Sequence, residues 1–171
     1  MRVLPSMAGP HRKGESEMIG FSVVGAGAMG RLHARAIARR ASQVGDCELR
    51  FVFDRHAARS EAVAKEFGGR SVSSLQAVLE AEASVNERSE SSGAQAAVVA
   101  VPTLFHAEVA TSLLDHDFDV LLEKPMTGDL VAANALVERP VRESESFRLG
   151  TWSGGTWGFV RLCRVWARRV G

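Results

Sequence analysis

The sequence predicts a doubly wound α/β fold, in which helices cover both faces of a mostly parallel sheet. Strand-like apolar runs alternate five times with helical segments along the chain, and all but one of the connections are short. A glycine-rich turn joins the first strand to the first helix. Parallel strands need crossover connections, and right-handed crossovers place helices on both faces of the sheet, so this alternation specifies the layered architecture.

The first part of the chain contains three predicted strands and two helices. Ile19–Val24 is a short apolar run with Gly20 near its start and Gly25 directly after it, and Glu48–Phe53 is a second apolar run. Between them, Gly30–Arg40 carries apolar residues at helical spacing and basic residues at its C-terminal end, where the helix dipole favours them. Ala57–Phe67 is a helix that two glycines end, and Arg70–Val72 is a brief third strand.

The second part continues the alternation after one polar segment. A third helix is capped by Ser73 or Ser74. The polar stretch Ala83–Gln95 is predicted to be a mobile loop. Ala96–Val101 is a continuous apolar run, typical of a strand buried on both faces. The remaining predicted elements are the helix His106–Leu114, the strand Asp119–Leu122 and the helix Asp129–Glu138.

Composition narrows the class of protein. A length of 171 residues fits one domain, and 46% apolar residues with a net charge of +1 exclude general disorder and a strongly basic nucleic-acid binder. The two cysteines lack paired spacing, which argues against a disulfide framework or a metal site and favours a reducing, cytoplasmic location. No apolar run approaches the roughly 20 residues of a membrane span.

The two ends of the chain differ from the predicted domain, which covers residues 19–138. Residues 1–18 are expected to form a disordered leader, and translation could start at Met1 or Met18. After Glu145 there is no acidic residue, so the chain up to that point has a net charge of −4 and the remainder +5. This abrupt change marks a boundary, and residues 139–171 are expected to be an aberrant basic tail with poor order.

The segment Gly25-Ala26-Gly27-Ala28-Met29-Gly30 is a GxGxxG turn between a predicted strand and a predicted helix. Gly25 suits the tight turn, Gly27 lets a pyrophosphate approach the backbone, and Gly30 lets helix and strand pack closely. The free N–H groups at the helix start favour a diphosphate. We therefore expect this whole segment to contact a dinucleotide, the alternative being a glycine-rich turn without a ligand.

Asp54 and Arg55 follow the second predicted strand, 24 residues after the turn's last glycine. A carboxylate at this point can accept both hydroxyls of an adenosine ribose and repels a 2′-phosphate, which favours NAD. The neighbouring arginine could contact a 2′-phosphate or stack on adenine, so NADP stays open. The alternative is a polar pair in a surface turn.

Two further motifs end strands at the same predicted edge, where open α/β sheets bind ligands. Pro102 ends the fourth strand, Thr103 offers a hydroxyl toward the cofactor, and His106 is a candidate contact or a solvated residue at the helix start. After the fifth strand come Glu123-Lys124-Pro125. A lysine beside a nicotinamide can hold a substrate hydroxyl and ease its deprotonation, although a lysine at a strand end is more often simply solvated.

These motifs, in this order, resemble the Gfo/Idh/MocA family of sugar and inositol oxidoreductases. The matching segments are VVGAGAMGRLHAR (Val23 to Arg35), FDR (Phe53 to Arg55), VPTLFH (Val101 to His106) and LEKPM (Leu122 to Met126). The resemblance implies a Rossmann-like N-terminal domain, NAD or NADP as cofactor, and hydride transfer at a sugar carbon. It also implies that Lys124 matches the family's catalytic lysine beside the nicotinamide.

The resemblance further implies a second α+β domain with substrate contacts and an acid/base residue, and the chain ends before that half begins. Relatives often continue with a strand that reads like VQVGHVER. Back-translating Glu145 to Gly154 with G/C-ending codons and shifting by one base gives VVQVGHVER. We therefore expect a single-base frameshift between about Arg139 and Glu145, with a sugar-like substrate bound only if the second domain is restored.

The sequence leaves three functions open. The first is an NAD(P)-dependent oxidoreductase, present as its cofactor domain and inactive in this form. The second is a non-catalytic nucleotide-binding or sensing module, and the third is an inert truncated remnant. No nucleic-acid or membrane partner is expected, and the sequence indicates no particular oligomeric state.

Overall fold

The strands form a single seven-stranded sheet in the computed structural model, which describes residues 18–88, 95–138, 146–151 and 158–163. The spatial order is β3-β2-β1-β4-β5-β7-β6. The first five strands in this order run parallel to one another, whereas β7 is antiparallel to both of its neighbours, β5 and β6. The strands are β1 Ile19–Val24, β2 Cys47–Phe53, β3 Arg70–Val72, β4 Gln95–Val99, β5 Asp119–Glu123, β6 Ser146–Thr151 and β7 Gly158–Cys163.

Five α-helices among the described residues cover the sheet. They are α1 Ala28–Val44, α2 Ala57–Phe67, α3 Leu75–Arg88, α4 His106–Asp115 and α5 Leu130–Val137, with a single 3₁₀ turn at Thr103–Phe105 before α4. Asp129 caps α5, since its side chain accepts a hydrogen bond from the backbone N–H of Ala132. Within the described part of the chain, no helix is long and apolar enough to cross a bilayer.

Two cores lie on opposite faces of the sheet. One contains Ala34 and Ile37 of α1 with Val63 of α2, and the other contains side chains from α3, α4 and α5. Neighbouring β1 residues Val23 and Val24 belong to different cores and are both fully buried, because successive side chains of a strand point to opposite faces. The predicted doubly wound α/β fold is therefore confirmed.

The strand register brings the carboxyl ends of four strands to one edge. Val24 lies opposite Phe53 of β2 and Val99 of β4, and Val99 lies opposite Leu122 of β5. Backbone hydrogen bonds continue the pairing just past the strands, from the Gly25 N–H to the Phe53 carbonyl at 2.7 Å and from the Ala100 N–H to the Val24 carbonyl at 2.8 Å. The segments that follow these strands consequently share one edge of the sheet.

The structure differs from the sequence prediction in the segment Ala83–Gln95. We expected a mobile loop, but α3 continues to Arg88 and β4 begins at Gln95; residues 89–94 lie outside the described residues. Glu82, directly before this segment, is fully buried and accepts hydrogen bonds from Ser22 at 2.9 Å and from Arg50 at 3.0 Å. These bonds to β1 and β2 hold a polar stretch of α3 against the sheet.

The tail also departs in part from expectation. Residues 139–171 were expected to have poor order, yet β6 and β7 lie within them as an antiparallel pair, with β7 paired to β5. This pairing supplies partners for the N–H and C=O groups that β5 would otherwise leave exposed at the sheet edge. The predicted leader up to residue 17, and residues 139–145, 152–157 and 164–171, lie outside the described residues.

Candidate functional site

The glycine turn connects β1 to α1, as predicted, and two of its glycines are required by close contacts. Gly25 has a φ of +97°, and a Cβ there would lie 2.6 Å from the Ala100 carbonyl oxygen. A Cβ on Gly30 would lie 1.7 Å from the Gly25 carbonyl oxygen. Gly27 differs, because a Cβ there would have no atom within 4 Å. The turn therefore closes tightly on the protein side and leaves open space beside Gly27.

The start of α1 is suited to an anion. Its N-cap is Gly27, which has no side chain to cap the helix, and the first turn carries no acidic residue. The N–H groups at the start of an α-helix have no partner within the helix and carry the positive end of its dipole. Ala28 is exposed and Met29 half-buried, so these backbone groups lie beside the open space at Gly27. Open space beside an uncapped helix start is the arrangement that binds phosphate groups in other proteins.

Asp54 is bonded directly to the glycine turn. It is only 9% exposed, its Oδ2 accepts the Ala26 N–H at 2.8 Å, and its Oδ1 accepts the His56 N–H at 2.8 Å. A carboxylate has about four lone-pair directions, so two acceptor positions remain after these bonds. Arg55, the next residue, is exposed. The structure thus orients the Asp54 carboxylate beside the turn, in a way that spacing along the sequence could only suggest.

The segment after β4 contributes two surface residues and one buried residue. Pro102 is exposed and Thr103 is half-buried at the carboxyl edge. His106 is only 1% exposed, and its ring nitrogens lie 2.9 Å from the Pro125 carbonyl oxygen and 2.8 Å from the Val101 carbonyl oxygen. Carbonyl oxygens can only accept, so this ring faces two acceptors of the protein itself. His106 connects two loops and does not present a ring nitrogen to a ligand.

The Glu123-Lys124-Pro125 segment follows β5 at the same edge. Lys124 and Pro125 are exposed, and the peptide bond between them is cis. Glu123 is 8% exposed, and its Oε1 lies 2.6 Å from Nε2 of His33 on α1. Its Oε2 accepts the Lys124 N–H at 3.3 Å. The carboxylate of Glu123 is thus directed to the protein, while the lysine that follows it lies at the surface.

His33 is the residue of this site that sequence reasoning missed. It belongs to none of the candidate contacts named from the sequence, yet it pairs with Glu123, 90 positions away along the chain. No local sequence pattern predicts the contact between His33 and Glu123, because it depends on how α1 is placed relative to β5. Among the described residues, no group of three or more histidine, cysteine or acidic side chains is placed to hold a metal ion.

Comparison with known proteins gives a family match over most of the chain. The family described as "Oxidoreductase family, NAD-binding Rossmann fold" (GFO_IDH_MocA) matches residues 19–151. Glucose-6-phosphate 3-dehydrogenase of Bacillus subtilis is 29% identical over 130 residues, covering 76% of this chain and 33% of that protein. Inositol 2-dehydrogenase of Renibacterium salmoninarum is 32% identical over 120 residues, covering 70% and 32%.

Solved structures show the same partial overlap. UDP-N-acetylglucosamine 3-dehydrogenase GnnA from Acidithiobacillus ferrooxidans is 30% identical with a TM-score of 0.56, covering 71% of this chain and 34% of that one. GenD2 from gentamicin A biosynthesis, in complex with NAD, is 27% identical with a TM-score of 0.59, covering 80% and 34%. The chain therefore spans about one third of the length of the proteins that it matches.

Proposed function

The chain belongs to the Gfo/Idh/MocA oxidoreductase family, and we propose that it binds a dinucleotide at the carboxyl ends of its parallel strands. The diphosphate binds at the backbone N–H groups of Gly27, Ala28 and Met29, at the start of α1. The observation that carries this proposal is the geometry of the turn, whose space at Gly27 is open while Gly25 and Gly30 admit no side chain. That arrangement gives a diphosphate direct access to the backbone.

NAD is preferred over NADP in this proposal. Asp54 is nearly buried and fixed by the N–H groups of Ala26 and His56, so its remaining acceptor positions suit the two hydroxyls of an adenosine ribose. A 2′-phosphate at the same place would bring negative charge against this carboxylate. Arg55 is exposed beside it and is the group that would moderate this repulsion, so it sets how strict the preference is.

Lys124 is proposed as the catalytic residue for hydride transfer at a sugar- or polyol-like secondary alcohol. A bound nicotinamide supplies the hydride acceptor at this edge. The Lys124 ammonium holds the substrate hydroxyl by a hydrogen bond and favours loss of its proton. Pro102 and Thr103 line the same edge and are proposed to contact the cofactor there. Matched relatives are named as dehydrogenases of glucose-6-phosphate and inositol, which supports this substrate class.

Turnover is proposed to need the second domain that the family resemblance implies, with its acid/base residue and substrate contacts. The chain alone would then bind cofactor without oxidising a polyol. The frameshift expected from the sequence has its own test, because a shifted reading frame requires the codons GGC for Gly150 and ACG for Thr151. If either codon differs in the coding DNA, the frameshift proposal is wrong.

Thermal unfolding with added nucleotides tests the binding proposal. A ligand at about 100 times its Kd stabilises the folded state by about 2.7 kcal/mol, which for a domain of this size raises Tm by about 5–10 °C. We expect NADH to produce this rise at lower concentration than NADPH. Unchanged Tm with NAD, NADH, NADP and NADPH, each at millimolar concentration, would refute dinucleotide binding.

A further inference from the structure

Two histidines hold the residues on either side of Lys124. On one side, His33 of α1 contacts the Glu123 carboxylate at 2.6 Å, and the second oxygen of that carboxylate accepts the Lys124 N–H at 3.3 Å. The side chains of His33 and Glu123 are 22% and 11% exposed, so solvent competes only weakly for this contact. The link runs from a long helix to the backbone nitrogen of the lysine.

On the other side of Lys124, His106 at the start of α4 holds Pro125. The His106 ring is buried between the Val101 carbonyl, just past β4, and the Pro125 carbonyl, directly after Lys124. A ring protonated at both nitrogens donates to both carbonyls, whereas a neutral ring donates to one of them. The loop after β5 is held when Nδ1 carries a proton, since this nitrogen then donates to the Pro125 carbonyl at 2.9 Å; a doubly protonated ring also donates to the Val101 carbonyl at 2.8 Å and so joins the two loops.

We propose that His33 and His106 are positioning residues, which together fix the backbone of residues 123–125 and thereby the direction of the Lys124 side chain. This inference rests on the proposed function only in taking Lys124 as the lysine beside the nicotinamide. A lysine has a flexible four-carbon stem, so its ammonium can be directed only if its backbone is fixed first. Misplacing a catalytic group by about 1 Å can cost about 100-fold in rate, which makes such support functionally significant.

His33 is the better residue to vary, because His106 is fully buried and its removal endangers folding. His33→Ala deletes the contact with Glu123. His33→Gln retains an amide N–H that can reach the same carboxylate and serves as the conservative rescue. His116→Gln is the matched control, because His116 is exposed and its Nδ1 contacts only the Ser112 carbonyl of its own helix in the described structure.

The first readout needs no dinucleotide. The lysines of the chain are Lys13, Lys65 and Lys124, so reductive ¹³C-methylation gives few NMR signals, and Lys124→Arg assigns the one of interest. We expect His33→Ala to shift or broaden the Lys124 methyl signal, His33→Gln to restore it, and His116→Gln to leave it unchanged. A Lys124 signal that coincides with wild type in a folded His33→Ala variant would overturn the proposal.

The second readout compares NADH with ADP-ribose, which lacks the nicotinamide. His33→Ala should weaken NADH binding about tenfold, equivalent to about 1.4 kcal/mol, and ADP-ribose binding less than about twofold. Equal losses for both ligands would mean that His33 acts through the fold as a whole and would contradict the positioning role. If the wild type binds neither ligand, the proposed function fails, while the lysine signals still decide the inference.

Discussion

Replacing Asp54 by asparagine tests whether one carboxylate both stabilises the glycine turn and selects the cofactor. Both of its oxygens accept backbone N–H groups at 2.8 Å, one from Ala26 in the turn and one from His56 at the start of α2. An asparagine side chain keeps one acceptor oxygen and places an amide N–H₂ donor against the other backbone donor. At a site only 9% exposed, the displaced N–H has little access to water.

The expected loss follows from these contacts. A hydrogen bond to a charged group contributes about 1.5–3 kcal/mol to stability. A buried N–H that loses its acceptor does not regain this energy by bonding to water. We therefore expect Asp54→Asn to lower the free energy of unfolding by about 2–3 kcal/mol. The same substitution removes the charge that disfavours a 2′-phosphate, so the ratio of NADPH to NADH affinity should rise by about tenfold or more.

Urea unfolding followed by circular dichroism measures the first effect, and calorimetric titration with NADH and NADPH measures the second. Glu61→Gln makes the same carboxylate-to-amide change at an exposed position of α2 and should alter neither quantity. A variant Asp54→Asn that unfolds within about 0.5 kcal/mol of wild type would show that the two backbone contacts are not stabilising. An unchanged NADPH to NADH ratio would refute the proposed role in cofactor choice.

Two other predictions concern the turn and an ion pair. Gly30→Ala should lower the free energy of unfolding in urea by about 3 kcal/mol or more, because its Cβ would lie 1.7 Å from the Gly25 carbonyl oxygen. Gly27→Ala should unfold nearly as wild type, because a Cβ there meets no protein atom within 4 Å. That Cβ would occupy the space proposed for the diphosphate, so the same variant should lose NADH binding in calorimetry. A Gly27→Ala variant with normal affinity would contradict the placement of the diphosphate. Hydrogen bonding to Arg40 lowers the pKa of Asp46 below its ordinary 3.8, so wild type should be more stable than Asp46→Asn at neutral pH, with the difference lost as pH falls through that lowered pKa. A difference in Tm that persists at pH 2 would count against this pair.

Local signals were sufficient wherever a glycine or an apolar run defines an element. β1, α2 and β3 have the bounds that the sequence predicts, because Gly25 follows the first of these strands and two glycines separate α2 from β3. The GxGxxG spacing also placed the turn correctly between β1 and α1. These features depend on residues close together in sequence, so periodicity and backbone preference suffice to find them.

Contacts between distant segments account for what the sequence did not show. α3 continues past Glu82, whose buried carboxylate is bonded to Ser22 of β1 and Arg50 of β2, where the sequence predicts a loop from Ala83. His106 was expected as a cofactor contact, but it is buried between two carbonyls. The pairing of His33 with Glu123 joins residues 90 positions apart. Each depends on tertiary packing, which a single sequence does not reveal.

A crystal structure of the chain with NADH tests the central claim most directly. We predict diphosphate oxygens at about 2.7–3.2 Å from the backbone nitrogens of Ala28 and Met29, with the adenosine ribose against Asp54. A saturated complex whose diphosphate lies elsewhere, with the start of α1 in contact only with solvent or protein side chains, would contradict the account.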